Sequence, residues 1–272
     1  MAASERPSDQ PAAALVWKRG DFSETSRLVT LMTRGEGKVT ALAKGAHRPQ
    51  SPFLGRLDLL NLVLPAYARQ RRSEHLRILV GVRLLHEPRR LREPARFLAA
   101  SYLREVFDPA LPEGRADPEL FDVLSGAVVV LERCPAAGLR TAIHGLELQL
   151  LEALGVLPDL SSCSTCGTAA VRGEPLFAEP FGRGLACGSH RSPTARAAPA
   201  GALAWLSQLR TTPARSWGSL PAPPRGTAAA LVPWLAHVCE RPPKLRIPAL
   251  RWAVQLAREA RPPAATDSVA RG

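Results

Sequence analysis

Four side chains in the second half of the chain have the types and the spacing to hold a metal ion. Cys163, Cys166, Cys187 and His190 form a C-x2-C-x20-C-x2-H pattern. Each two-residue gap lets a tight turn aim both side chains at one point, and two such turns supply the corners of a tetrahedron. Thiolate and imidazole donors in that number suit zinc, so a structural Zn2+ is the expected cofactor. Gly167 and Gly188 stand where each turn is expected to need a residue tolerant of positive φ. A redox C-x-x-C would want the strand-to-helix start of a thioredoxin-like unit, and it would leave the second pair without a role. A catalytic zinc keeps an open position, and a zinc deaminase needs H-x-E followed by P-C-x-x-C. Here Ser162 precedes Cys163, and His144 and Glu147 are spaced H-x-x-E. No acid or base has motif spacing that would activate Cys163 as a nucleophile, so the site reads as closed and no enzyme is expected.

The element that carries the first cysteine pair is a helix over 139–154, with Leu139, Ile143, Leu146, Leu150 and Leu154 on one stripe. Gly155 is its expected stop, and Pro158 bars continuation. Upstream, Phe97, Leu98, Tyr102, Leu103 and Val106 recur at helical spacing, and a further helix is expected over 118–131. Downstream, helices are expected over 200–209, 228–238 and 247–260, while the stretch SWGSLPAPPRGT is expected to be irregular. These apolar stripes read as core. Cys134 and Cys239 are isolated and read as ordinary packing or surface thiols.

The first 90 residues have a different rhythm. Five segments that alternate or are rich in β-branched residues and leucine, separated by turn signals, occupy residues 14–22, 26–37, 38–46, 57–70 and 75–85. The clearest hairpin turns through Arg34-Gly35-Glu36-Gly37, with Gly37 suited to a left-handed position. Five short strands with a basic face suggest a Greek-key barrel of the oligonucleotide-binding (OB-fold) type. The leucines at 57, 59, 60, 62 and 64 also fit a helical stripe. The expected organisation is α+β and multidomain: a disordered leader (1–13), an OB-fold β-barrel (14–90), a helical domain in two parts (91–160 and 193–262) around a zinc knuckle (161–192), and a disordered tail (263–272).

The formal net charge is +12 over 272 residues, which makes polyanions the first partner class. Residues 1–94 carry a net +8, 95–160 a net −5 and 161–272 a net +9. In the barrel region Lys44-Gly45-Ala46-His47-Arg48-Pro49 could hold a phosphate, and Arg69, Arg71 and Arg72 form a second cluster. With Arg27 and Lys38 these make seven candidate phosphate contacts for a nucleic acid. Trp17, Phe22, Phe53 and Tyr67 are the only aromatics there that could stack bases, so backbone-dominated, sequence-tolerant binding is expected. Near the C-terminus, Arg241, Lys244, Arg246 and Arg251 lie beside apolar residues and suit an acidic peptide ending in hydrophobic side chains. No run of eighteen apolar residues occurs, and the N-terminal residues carry charges and prolines where a signal peptide needs an apolar run. A cytoplasmic, nucleoid-associated protein is expected, and five cysteines fit a reducing compartment.

The run Ser26-Arg27-Leu28-Val29-Thr30-Leu31 with Thr33, Gly37, Lys44-Gly45-Ala46 and Arg48-Pro49, followed by Leu139-Arg140, Leu150-Leu151, Gly155, Pro158 and Cys163-x-x-Cys166-Gly167, resembles the RecO recombination mediators of bacteria over residues 15–260. The resemblance implies a DNA-binding protein of DNA repair and recombination that acts without enzymatic turnover. It implies binding to single- and double-stranded DNA, annealing of complementary strands, and cooperation with RecR in loading RecA onto DNA coated by single-strand-binding protein. That coat protein is recognised in the family through its acidic C-terminal tail. Zinc-bearing members of the family use four cysteines, whereas His190 takes the fourth place here. A basic zinc adaptor for RNA or ribosomes, or a zinc- or cysteine-dependent enzyme, are the competing classes.

Overall fold

The computed structural model describes residues 12–68, 76–111, 113–171 and 174–260. Five strands, β1 (Ala14–Asp21), β2 (Arg27–Thr33), β3 (Gly37–Ala43), β4 (Leu62–Tyr67) and β5 (Arg77–His86), close into a barrel in the order β1-β2-β3-β5-β4. All pairings are antiparallel except β3 with β5, which is parallel. This is the expected OB-fold barrel. The leucine-rich stretch enters β4 only at Leu62, and the residues before it form turns. Residues 1–11 of the expected leader, the expected tail, and the cluster of Arg69, Arg71 and Arg72 lie outside the described residues.

β1 explains how the barrel is held. Its first four residues, Ala14-Leu15-Val16-Trp17, are all buried, because the strand is covered on both faces. Ala14 and Val16 point into the barrel with Val29, Leu31, Val63 and Leu79. Leu15 and Trp17 point the other way, into the helical core. A register shift between Val16 and Lys18 leaves Trp17 as a bulge, which bends the strand toward its second partner. The β2–β3 hairpin is regular from Arg27↔Ala43 to Thr33↔Gly37. Gly37 closes it at φ 69, and a Cβ there would run into the carbonyl oxygen of Arg115. Only glycine meets both demands.

The helical body comprises α1 (Pro94–Phe107), α2 (Pro118–Arg133), α3 (Leu139–Ala153), α4 (Ala200–Thr211), α5 (Thr227–Val238) and α6 (Arg246–Glu259). Asp117 caps α2 by accepting from the Leu120 N–H at 2.9 Å, with Pro118 at the first turn. α3 is the central helix, with eleven of its fifteen residues buried. It ends as expected at Gly155, where the N–H groups of Gly155 and Val156 bond back to the carbonyls of Glu152 and Leu151. The stretch expected to be irregular instead contains a 3-10 helix, Ala214–Ser219. Its Trp217 is buried against α3, where Gly145 leaves no room even for a Cβ. Proline-rich sequence hid a packing residue. A small sheet, β6 (Leu176–Ala178), β7 (Leu185–Ala186) and β8 (Arg196–Ala198), is inserted between α3 and α4.

Asp108, just past the end of α1, ties the barrel to this body. Its carboxylate accepts from Trp17 Nε1 at 2.7 Å and pairs with the Lys18 and Lys38 ammonium groups, each at 2.8 Å. Lys38 also donates to the Asp108 carbonyl at 2.8 Å. Burial alone would raise this carboxyl, but the three donors hold it down to about 2.

Candidate metal centre and nucleic-acid interface

The loop after α3 brings the four expected ligands together. The donor atoms of Cys163, Cys166, Cys187 and His190 all lie within 4.8 Å of one another. The sulfurs of Cys166 and Cys187 are 3.7 Å apart, and His190 Nδ1 is 3.2 Å from Cys187 Sγ and 3.9 Å from Cys163 Sγ. Each arm is a tight turn. The Gly167 N–H returns to the Cys163 carbonyl at 2.9 Å, and the N–H groups of His190 and Arg191 return to the Cys187 carbonyl at 3.1 and 3.0 Å. Gly167 takes the left-handed conformation at φ 72, while Gly188 does not, so the second turn closes without that requirement. The arms are stitched together by Ser164: its N–H donates to the Leu185 carbonyl at 2.8 Å, and its hydroxyl accepts the Leu185 N–H at 3.2 Å.

The electrostatics prepare two of the four groups for metal uptake. Burial opposes charge on the Cys163 thiol, but the backbone N–H groups of Cys166, Cys187 and Thr165 outweigh it and bring the thiol down to about 6. Cys166 is lowered as well, chiefly by the Thr168 hydroxyl at 3.1 Å. Burial pushes Cys187 up. Hydrogen bonding to Cys166 and Cys163 raises His190. Cys163 and Cys166 are thus poised to give up their protons to a divalent ion, whereas Cys187 and His190 hold theirs more tightly and must be displaced by the metal itself. These four side chains are the ones that could hold a metal ion here.

On the barrel, Lys44 and Arg48 are exposed at the end of β3 with no charged partner among the described residues. Their loop is anchored nearby, where His47 Nε2 sits 2.9 Å from Asp21 and Arg27 reaches the same carboxylate at 3.5 Å. Two of the seven candidates are thus otherwise engaged or half-buried: Arg27 in that contact, and Lys38, 9% exposed, in the Asp108 joint. Lys38 is a correction, because its charge is spent inside the protein. Of the aromatic candidates, Trp17 and Phe53 are buried and Tyr67 is half-buried under Arg77, 5.1 Å from the ring centroid. Phe22 remains exposed.

The C-terminal cationic group also divides. Arg246 is not a surface residue. It is 5% exposed and forms a two-pronged pair with Glu147 of α3 at 2.7 and 3.0 Å. Tyr102 donates to the same carboxylate at 2.6 Å, and His144 Nδ1 lies 2.8 Å from it. Burial would push Glu147 up, but Arg246 and His144 keep it well below the usual carboxylate range. Arg241 and Lys244 stay exposed before α6, and the N–H groups of Lys244 and Leu245, just ahead of the helix, donate to the Glu105 carboxylate at 2.7 and 2.8 Å. Arg251 alone of the four lines a groove of about 700 Å³. Around its apolar floor of Ile247 and Leu250 stand Arg140, Arg225 and Arg258, three cations the sequence reading missed. Arg258 was within reach of it, lying seven residues after Arg251 on one helical stripe. Arg140 and Arg225 were not, since only the fold brings them to α6.

Two family descriptions match the chain. Recombination protein O N terminal covers residues 10–87, and Recombination protein O C terminal covers residues 91–241. The chain is 32% identical over 229 residues to the DNA repair protein RecO of Anaeromyxobacter dehalogenans (strain 2CP-C), covering 82% of this chain and 89% of that protein. It is 29% identical over 237 residues to the DNA repair protein RecO of Roseiflexus sp. (strain RS-1), covering 85% and 81% respectively. No described helix is long and apolar enough to cross a membrane.

Proposed function

The chain belongs to the RecO family, and from that premise we propose that it is a DNA repair protein that binds DNA strands and joins complementary ones without chemical turnover. The observation that carries this reading is the pairing of a closed oligonucleotide-binding barrel, with Lys44 and Arg48 unpaired at its rim, to a helical body with a separate basic groove. Cations on the barrel neutralise phosphates of two strands, lower their repulsion and raise their local concentration, so annealing needs no ATP. Arg27, and Arg69, Arg71 and Arg72 from outside the described residues, complete the proposed DNA contacts. The groove takes the acidic, apolar-ended tail of the single-strand-binding protein: Arg140, Arg225, Arg251 and Arg258 meet its carboxylates, and Ile247 and Leu250 its hydrophobic end. With RecR, the protein helps load RecA onto the strand so exposed.

The metal we assign to the knuckle is zinc, held by Cys163, Cys166, Cys187 and His190 in a structural role. Tetrahedral bonds of about 2.3 Å to sulfur and about 2.0 Å to nitrogen require S···S near 3.8 Å and S···N near 3.5 Å. The separations of 3.7 Å between Cys166 and Cys187 sulfurs, and of 3.2 and 3.9 Å from His190 to Cys187 and Cys163, support that fit. A Cys3His set is an ordinary structural zinc site.

The test is annealing of two complementary oligonucleotides, bare and coated with the cognate single-strand-binding protein with and without its acidic tail. Annealing of coated strands that stops when the tail is removed is the expected result. Binding without annealing, or a preference for RNA in competition, would replace the mediator by a basic adaptor.

A further inference from the structure

We propose that the turn at residues 180–184 of the metal module is a base-stacking finger for single-stranded nucleic acid, with Phe181 as the stacking ring and Arg183 and Arg191 as phosphate contacts. The proposal rests on the DNA-binding reading above and adds a contact outside the barrel.

Phe181 is 76% exposed, more than any other large apolar side chain among the described residues. Its backbone is nevertheless held firmly. Phe181, Gly182 and Gly184 take φ of 57, 71 and 82, so the chain turns left-handed three times in four residues, once at a bulky side chain that rarely adopts it. The turn closes between β6 and β7 through Arg183 N–H to the Pro180 carbonyl at 3.3 Å and Glu179 N–H to the Gly184 carbonyl at 2.9 Å. Neighbours brace it on both sides. Gly184 presses on Ser164 of the first knuckle arm, where a Cβ would strike the hydroxyl, and a Cβ at Gly182 would touch His237 Nε2 of α5 at 3.5 Å. A strained residue fixed by its surroundings, with an aromatic ring delivered to solvent, is the pattern of a recognition element rather than of a loose loop.

The adjoining surface says what the ring would meet. A polar hollow of about 220 Å³ is lined by Arg183, Arg191, Thr165, His190, Ser192 and Glu179. Arg183 and Arg191 are exposed, and the Arg191 guanidinium lies over the Phe177 ring at 4.5 Å. Glu179 is 5% exposed. One of its carboxylate oxygens accepts the Ser192 N–H at 2.6 Å, and the other is buried without a donor among the described residues. An acidic floor under a basic rim sorts a ligand by its parts: it repels phosphate and acidic peptide from the interior and welcomes hydrogen-bond donors. Adenine, cytosine and guanine carry amino donors on their edges, every base has a face that stacks on phenylalanine, and the phosphates reach outward to the arginines. Only unpaired bases expose both, so the finger selects single strands over duplex.

Phe181→Gly separates the ring from the fold, because glycine relieves the left-handed strain while deleting the stacking surface. The variant should melt no lower than the parent chain yet bind a single-stranded homopolymer about 5-fold or more weakly. Its salt dependence should keep the parent's slope, since stacking releases no counterions, and its affinity for blunt duplex should not change. Phe181→Trp should bind as the parent does, and Arg183→Ala should flatten the salt slope by about 0.7. Equal single-strand affinity in Phe181→Gly, or an equal loss on duplex, overturns the finger. Loss of binding to a protein partner with DNA binding intact would reassign the turn to that partner. If the parent chain binds no DNA, the proposed function fails with it; if the parent binds and Phe181→Gly matches it, only the finger falls.

Discussion

Replacing Asp108 by Asn tests how the barrel is fastened to the helices. The carboxylate is held down to about 2 from the ordinary 3.8, first against the burial that would raise it, by the Lys18, Lys38 and Trp17 donors. At full value that lowering corresponds to about 2.5 kcal/mol. The carboxylate is 33% exposed, and screening cuts the figure to about 1 kcal/mol. The Lys38 ammonium, 9% exposed, would then face neutral acceptors in place of its counter-charge, which costs about 1 kcal/mol more. Asp108→Asn should therefore lower the unfolding free energy by about 2 kcal/mol at pH 7, read from urea titrations followed by tryptophan fluorescence. A carboxyl with a depressed pKa stabilises the fold above its unfolded value and loses that contribution as pH falls through the folded one. The parent should accordingly lose about 1 kcal/mol between pH 4 and pH 2 that the variant does not, narrowing the gap between them. An equal gap at pH 7 and pH 2.5, or no loss at pH 7, would refute the role given to the joint.

Glu147→Gln should destabilise by about 3 kcal/mol or more, because it leaves the buried Arg246 guanidinium uncompensated; replacing Glu147 and Arg246 together with apolar residues should cost less than the sum, and additive costs in a double-mutant cycle would dissolve the pair. Cys163→Ser should abolish stoichiometric zinc by metal analysis of the purified protein and lower the melting temperature, and normal zinc content would remove Cys163 from the ligand set. Lys44→Glu with Arg48→Glu should weaken single-strand binding and flatten its salt slope by about 1.4 at unchanged stability, so unaltered binding in the folded variant would move the interface elsewhere. Gly37→Ala should cost more than about 1 kcal/mol in thermal unfolding, since the position is left-handed and abuts the Arg115 carbonyl; a neutral substitution would mean the hairpin shifts freely.

What could be read in advance was local. The β2–β3 hairpin, the stripe of α3 and the two cysteine turns each follow from residues within a few positions of one another, and periodicity and turn chemistry report such relations directly. The corrections concern partners far apart in sequence. Lys38 and Arg246 have the composition of surface cations, yet each meets a carboxylate, Asp108 or Glu147, 70 and 99 residues away. Trp17 looks like a stacking aromatic until β1 is covered from its second side. In the same way Arg140 and Arg225 become groove residues only when α3 and the loop before α5 converge on α6. The clustering of Cys163, Cys166, Cys187 and His190 escaped this limit because each turn carries its own geometry.

The pairing of Glu147 with Arg246 also sets a timetable for a chain that is made from one end. When α3 leaves the ribosome, its central carboxylate is destined for the interior, but its arginine still lies 99 residues ahead. At synthesis rates of about 5–20 residues per second the wait is on the order of 5–20 s. During it Glu147 has only His144 and Tyr102 as partners, so α1, α2 and α3 close over it at a cost that Arg246 later offsets, while the barrel, whose strands are all made by His86, has its own core ready. The nascent protein would therefore hold a finished barrel on a helical half that is not yet fully stable, and the arrival of α6 completes the body.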